Sequence, residues 1–211
     1  MHVPDGFVPL WQCAIYYVIL IIALYFAQKW ARNNLDEKRV PLMAVLAAGI
    51  FAIMSMNMPI PFGTSGHMVG GTLIALVFLA PEACVIVFFV VLLLQALLFG
   101  DGGITTLGLN VLNMGIIGGC VGLYTFKGLK NLIGKYPSIA IGAWLATLIA
   151  ALACAVEMTI AGTFPLVPGL IAMGTYHAFI GIIEAVLTVI VIYALEKFRP
   201  DLLVWNKNEG V

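Results

Sequence analysis

Apolar positions along this chain come in long runs, separated by Gly, Pro or charged residues. The runs predict seven helices, over roughly 9–28, 41–58, 67–80, 82–99, 105–126, 138–160 and 170–196. A helix that crosses a bilayer needs about 20 residues at about 1.5 Å of rise each. The run over 67–80 is short by that measure. It also reads as the first half of one long helix with 82–99, kinked at Pro81.

Composition turns these runs into membrane spans. Of 211 residues, 63% are hydrophobic and only 9% are charged, where soluble domains carry about 25% charged residues. Residues 1–211 are therefore expected to form one integral-membrane domain. The formal net charge is zero, which excludes a nucleic-acid surface as the main business of the protein.

Charge asymmetry decides how to count the spans. With seven crossings, Lys29, Arg32, Lys38 and Arg39 share a side with Lys127, Lys130 and Lys135 and with Lys197, Arg199 and Lys207, which are all ten basic residues. Merging the third and fourth runs moves the last six to the opposite side. The positive-inside bias favours seven crossings, a cytoplasmic carboxyl terminus and an outward amino terminus. No Lys or Arg precedes the first apolar run and no small-x-small site follows it, so a cleaved signal peptide is not expected. Retention of Met1 is expected, because its removal prefers a small second residue and His2 is large. Cys13, Cys84, Cys120 and Cys154 lie far apart in apolar runs and read as small buried hydrophobes. Cys13 stays open as a minor site candidate because it is near the amino terminus.

On that topology the outer side holds "MHVPDGF" and the loops "MPIPFGTSGH", "GDGGITT" and "AGTFPLVPG". His2 and His67 lie outside, and His177 lies about two turns below the rim of the last helix. All three histidines of the chain gather at one face.

A free amine followed by histidine is a chelator. The amine and the His2 main-chain nitrogen close a five-membered ring around a metal, and that nitrogen and Nδ1 of the imidazole close a six-membered one. Three nitrogens then lie in a plane, with a fourth position left open, a geometry that suits Ni(II) or Cu(II). Protons must leave the ammonium, whose pKa is about 8 when free, and the amide, so affinity is expected to fall in acid. Pro4 holds Val3 extended, and Asp5-Gly6 reads as a turn that returns the tail over the helices. The bland alternative is a disordered tail. His67 closes a loop of small residues that permits close backbone approach, and is favoured as the fourth nitrogen.

Other candidates are less decided. His177 shares a stripe with Gly181 and Glu184. It reads either as a group that orients a ligand or the tail, or as a structural hydrogen bond between helices. Glu184 and Glu157, inside the membrane, are expected to be partnered or protonated. Ser65 and Asp101 are further candidates for touching the site, Asp101 being also a plain turn residue. Asn110 and Asn113 are placed to bond the outer loops. Ala44, Ala48 and Ala52 recur every four residues, as small residues do where helices approach closely in lipid. That stripe serves either a partner or internal packing.

"MHVPDGF", "TSGHMVGG" (64–71) and "LLLQALLFGDGGITTLGLNVLNMG" (92–115) resemble the CbiM/NikM family. Its members are the substrate-capture membrane subunits, or S components, of cobalt and nickel energy-coupling-factor (ECF) transporters. The resemblance implies an all-α fold with a six-helix core and one extra amino-terminal helix that threads the chain start into the pocket. It implies metal ligands at Met1, His2 and His67, with Ni2+ or Co2+ as bound substrate. It further implies a prokaryotic cell membrane, a transmembrane coupling subunit, two ATPase subunits, a small accessory membrane subunit, and a coupling contact like the alanine stripe. "GLKNLIGKY" (128–136) departs from the phosphate-binding loop in spacing and in its final Tyr136, so ATP hydrolysis is expected in partners and the chain is not read as an enzyme. A membrane metal sensor ranks second. An intramembrane hydrolase ranks third, since no His-Glu-x-x-His occurs.

Overall fold

The computed structural model describes residues 1–62 and 64–204. Gly63 of the outer loop and Lys207 of the basic tail lie outside the described residues. The helices are α1 (Leu10–Asn34), α2 (Arg39–Met54), α3 (Gly71–Phe78), α4 (Pro81–Leu94), α5 (Leu107–Val111), α6 (Gly118–Ile133), α7 (Lys135–Ile160) and α8 (Leu166–Phe198). Two π-helical turns, Gln95–Phe99 and Leu112–Ile117, extend α4 and join α5 to α6. Among the described residues, five helical stretches are long and apolar enough to cross a membrane: Leu10–Asn34, Pro81–Phe99, Leu107–Ile133, Lys135–Ile160 and Leu166–Phe198. Exposed Ile15, Val18, Ile22 and Phe26 on α1, and Phe179, Ile183, Val186 and Ile190 on α8, form the lipid-facing surface. The chain is a multi-pass helical membrane protein.

The helices overrun the apolar runs that announce them. α1 continues through polar residues to Asn34 and α6 to Ile133, because those residues favour helix and solvent accepts them. α7 and α8 start earlier than the apolar pattern, with Pro137 and Pro168 in their first turns, where a missing N–H costs nothing.

The stretch between α2 and α3 corrects the expected helices over 41–58 and 67–80 and adds a short strand pair to a mostly helical chain. α2 stops at Met54, and Pro59 forces extended backbone before it. Met58–Ile60 (β1) pairs antiparallel with Thr64–Gly66 (β2) in the register Met58↔Gly66. α3 begins only at Gly71, because Gly70 sits in the left-handed region at φ 79°. The main-chain N–H groups of Val69 and Gly70 donate to the two carboxylate oxygens of Glu184, both at 2.7 Å. α3 and α4 are separate helices, not halves of a kinked one: Leu79 is left-handed and Ala80 extended, so the helix is interrupted before Pro81.

Helix contacts sort the chain ends and loops into two groups. At one end Trp30 of α1 meets Phe78 of α3 at 6.0 Å between ring centroids. There too Lys135 pairs with Glu196 at 2.7 Å. At the other end lie the amino-terminal segment, the β-hairpin, and the loops over 100–106 and 161–165. Phe62 packs on Phe164 at 5.4 Å there.

Candidate metal centre

Residues 1–7 fold back onto this second end, with Met1, His2 and Val3 buried. The Met1 amine donates to the Ser65 carbonyl, and Thr64 Oγ1 donates to the His2 carbonyl at 3.1 Å. Val3 is held on the other side. Its N–H donates to Asn110 Oδ1 at 3.0 Å, and its carbonyl accepts from Asn110 Nδ2 at 3.1 Å and Thr106 Oγ1 at 2.5 Å. Asp5 finishes the latch by accepting from the N–H groups of Ile104 and Thr105 and from Thr105 Oγ1. Glycine makes the 100–106 loop compatible with this. Gly102 has φ 85° and lies against the His2 ring, and a Cβ on Gly103 would overlap Asp5.

The segment brings His2 against His67, with ring centroids 4.4 Å apart and planes tilted by 33°. Hydrogen bonds to carbonyls fix which nitrogen of His67 and His177 is bare. A carbonyl oxygen only accepts, so His67 Nδ1, 2.8 Å from the Met68 carbonyl, carries the proton. His67 Nε2 is then a lone pair, buried without a hydrogen-bond partner. His177 is arranged alike: Nδ1 donates to the Met173 carbonyl at 2.8 Å and Nε2 is buried and unpartnered. In His2, Nε2 lies 3.1 Å from Gln95 Oε1, and a proton held there leaves Nδ1 as the lone pair. Asp101 Oδ1 lies 3.2 Å from that Nδ1. A lone pair facing a carboxylate oxygen is repulsive unless a proton or a cation lies with them. Asn57 Nδ2 holds the other Asp101 oxygen at 3.0 Å.

Burial removes protons from this cluster. It lowers the amine of Met1 from 8.0 to about 5, against the pull of Cys154 and Asp101. It lowers His2 to about 3, helped by the charge on the amine. His67 falls well below its ordinary value of 6.5, first through burial and then through the charges on the amine, His2 and His177. Asp101 is pushed up by burial, while the amine and Asn57 oppose the shift. At neutral pH the three nitrogens are uncharged lone-pair donors, the protonation state a metal requires.

The remaining candidates divide. Glu184 touches none of these nitrogens; it anchors the loop just after His67. Glu157 is partnered by Asn113 Nδ2 at 2.6 Å, so Asn113 ties two helices together and does not bond an outer loop. Ser65 meets the amine through its carbonyl, and its hydroxyl is buried without a partner. All four cysteines are free thiols. Cys13 donates to the Val8 carbonyl. The thiol nearest the site is Cys154, with Sγ 3.9 Å from the Met1 carbonyl. Ala44, Ala48 and Ala52 are exposed. With Phe51, Val91 and Leu94, the first two line an apolar groove of about 510 Å³ between α2 and α4. Gln95, Asn57 and the latching role of Asp5 carry no signal in spacing or periodicity. Only the π turn beginning at Gln95, a feature that recurs at functional sites, marks one of them.

Among the described residues no three His, Cys, Asp or Glu side chains are grouped to hold a metal ion. Two imidazoles alone make a poor metal site. Residues 2–202 match the family described as "Cobalt uptake substrate-specific transmembrane region", CbiM. The chain belongs to the CbiM family. A protein of Methanocaldococcus jannaschii named for metal transport is 38% identical over 217 residues, spanning 99% of this chain and 97% of its own length. The fused nickel transport protein NikMN of Rhodobacter capsulatus is 33% identical over 222 residues, 96% of this chain and 64% of that one. A crystal structure of a truncated transition metal transporter superposes with a TM-score of 0.89 at 37% identity, covering 93% of this chain and 99% of that one. This CbiM-family chain is a membrane component of cobalt or nickel transport, and its relatives are transport proteins rather than enzymes.

Proposed function

We propose that the protein is the substrate-capture component of an ATP-driven ECF importer, and that it binds Ni2+ in preference to Co2+. With Met1 as first residue, the donors are its amine, the His2 main-chain nitrogen, His2 Nδ1 and His67 Nε2. The observation that carries this reading is the meeting of the His2 and His67 rings, centroids 4.4 Å apart, with His2 Nδ1 and His67 Nε2 lacking hydrogen-bond partners beside the buried Met1. A buried lone pair without a partner costs about 1–3 kcal/mol, and a bound ion removes that cost. The two fused chelate rings hold three nitrogens in a plane, the coordination Ni(II) favours. Loss of the His2 amide proton leaves the ion and its ligands with a single positive charge, which the neighbouring Asp101 carboxylate balances.

The amino-terminal segment serves as ligand and as lid. Seven crossings, with α2 and the short α3 included, put the amino terminus outside and every Lys and Arg of the loops on the cytoplasmic side of a prokaryotic cell membrane. The Trp30–Phe78 and Lys135–Glu196 contacts support that sorting. The partners are a transmembrane coupling subunit, two ATPase subunits and a small accessory membrane subunit. The α2–α4 groove, with Ala44, Ala48 and Ala52 exposed along α2, is the docking face for the coupling subunit.

Titration of purified protein with Ni(II), followed by visible absorption, tests the donor set. A yellow low-spin band is expected, and is expected to vanish in His2→Ala, in His67→Ala, and after acetylation of the amine or insertion of one residue before His2. Tight Ni(II) binding that survives these changes would sink the proposal.

A further inference from the structure

Far from the histidines, the lipid-facing surface carries a second groove. α7 and α8 pack antiparallel, Trp144 meeting Ala178 and Tyr136 meeting Tyr193. Small Ala140 and Ala185 leave an apolar groove of about 560 Å³ between the two helices, bounded by Tyr136 and Trp144 on α7 and by Ile182 and Ile190 on α8. Its polar atoms are already bonded within the protein. Trp144 Nε1 donates to the Ala178 carbonyl at 3.0 Å, and the Tyr136 hydroxyl donates to Glu196 at 2.7 Å. What the groove offers a ligand is hydrocarbon contact.

The length of the groove bears on what fills it. Tyr136 to Trp144, and Ile182 to Ile190, are each eight residues, about 12 Å of helix. One leaflet of a bilayer holds about 15 Å of hydrocarbon, so the groove is as deep as one acyl chain. A partner helix that crosses the membrane would need twice that length. Here the upper end is closed, because Trp144 packs so tightly on α8 that a Cβ on Gly181 would sit 3.0 Å from its Cδ1.

The other end opens among cations. Tyr136 and Tyr193 stack there with ring centroids 6.0 Å apart, as tyrosines do at the level of lipid headgroups. Lys135 lies beside the Tyr136 ring and pairs with Glu196 at 2.7 Å. Lys197 is exposed, seven residues beyond Ile190 and so on the same face of α8. Glu196 offsets one of these two lysines, which leaves the mouth with one positive charge. We infer that the groove binds one acyl chain of an anionic phospholipid from the leaflet at this end, with the headgroup phosphate beside Lys197.

Native mass spectrometry of the purified full chain in detergent, titrated with phosphatidylglycerol or with phosphatidylcholine of the same acyl chains, tests this. Wild type is expected to bind the anionic lipid about fivefold more tightly, the effect of one lysine at a membrane surface. Lys197→Gln should bring the two lipids to near parity. Ala140→Phe fills the groove and should weaken both. Equal binding of the two lipids by wild type, a preference that survives Lys197→Gln, or lipid binding unchanged in Ala140→Phe would overturn the inference. So would a dimer, or co-purification of another membrane subunit, that Ala140→Phe abolishes while lipid binding persists, since the groove would then hold protein. Lys197 is on the surface, so its variant decides the matter even if Ala140→Phe does not fold.

Discussion

Asp5 and Thr105 are joined twice, the Asp5 carboxylate accepting from the Thr105 main-chain N–H at 2.7 Å and from its hydroxyl at 2.6 Å. This contact fastens the amino-terminal segment at its open edge, where water competes. Each such bond contributes about 1 kcal/mol. Asp5→Ala should therefore raise the rate of Ni(II) loss roughly tenfold with little change in the spectrum of the bound ion. Stopped-flow release into a chelator measures this, and an unchanged rate would show that the latch does not control opening.

Gln95 Oε1 favours a proton on His2 Nε2 through a single contact at 3.1 Å. Gln95→Leu frees the ring to place its proton on Nδ1, where a metal would have to displace it. Metal affinity should fall about 10- to 100-fold, the range for loss of a ligand-orienting partner, while thermal stability of the metal-free protein changes little. Isothermal titration alongside a melting curve separates the two effects.

Acid should loosen the metal-free segment well before it unfolds the protein. Burial lowers the Met1 amine from 8.0 to about 5, so the free segment takes up a proton that the docked one excludes. Docking is at full strength above pH 8 and weakens by about 1.4 kcal/mol per unit as pH falls toward 5. Hydrogen exchange at the Val3 N–H, which Asn110 holds at 3.0 Å, reports docking. Protection that does not change between pH 8 and 5.5 would contradict the burial of the amine.

Glu184 accepts from two consecutive main-chain N–H groups at the start of α3. Glu184→Gln turns one acceptor into a donor facing another donor. The expected loss is about 2–3 kcal/mol of stability, together with weaker metal binding, because the anchored loop carries His67. A melting temperature in detergent equal to that of wild type would show the loop is held by other contacts.

The α2–α4 groove predicts a separation of functions. Ala48→Leu fills a surface that is exposed in the isolated chain, so Ni(II) binding should be unchanged while co-purification with the coupling subunit falls. Normal assembly would place the docking face elsewhere.

Hydropathy located the buried part of each helix because the bilayer selects on that property directly. It missed the polar ends at Lys29–Asn34 and Lys127–Ile133, where solvent imposes no such selection. The strand pair over Met58–Gly66 was hidden for a different reason: three-residue strands are too short to show a period. The site was half legible. His2, His67 and the closeness of Asp101 to them follow from which loops share a side of the membrane. Gln95, Asn57 and Asp5 depend on side chains meeting across a hundred residues or fewer of intervening chain, and the π turn that aims Gln95 leaves no mark in the residue types.

Val3 is held by Thr106 and Asn110, and the Met1 amine by the carbonyl of Ser65. The partners of Val3 thus become available only after half the chain has been made. Until then Val3 has none of these partners, and its docking closes a loop of about a hundred residues late in assembly. On the proposed donor set, capture of the ion and completion of the fold use the same contacts, so the newly made protein would first be able to take its cargo at the moment it finishes folding.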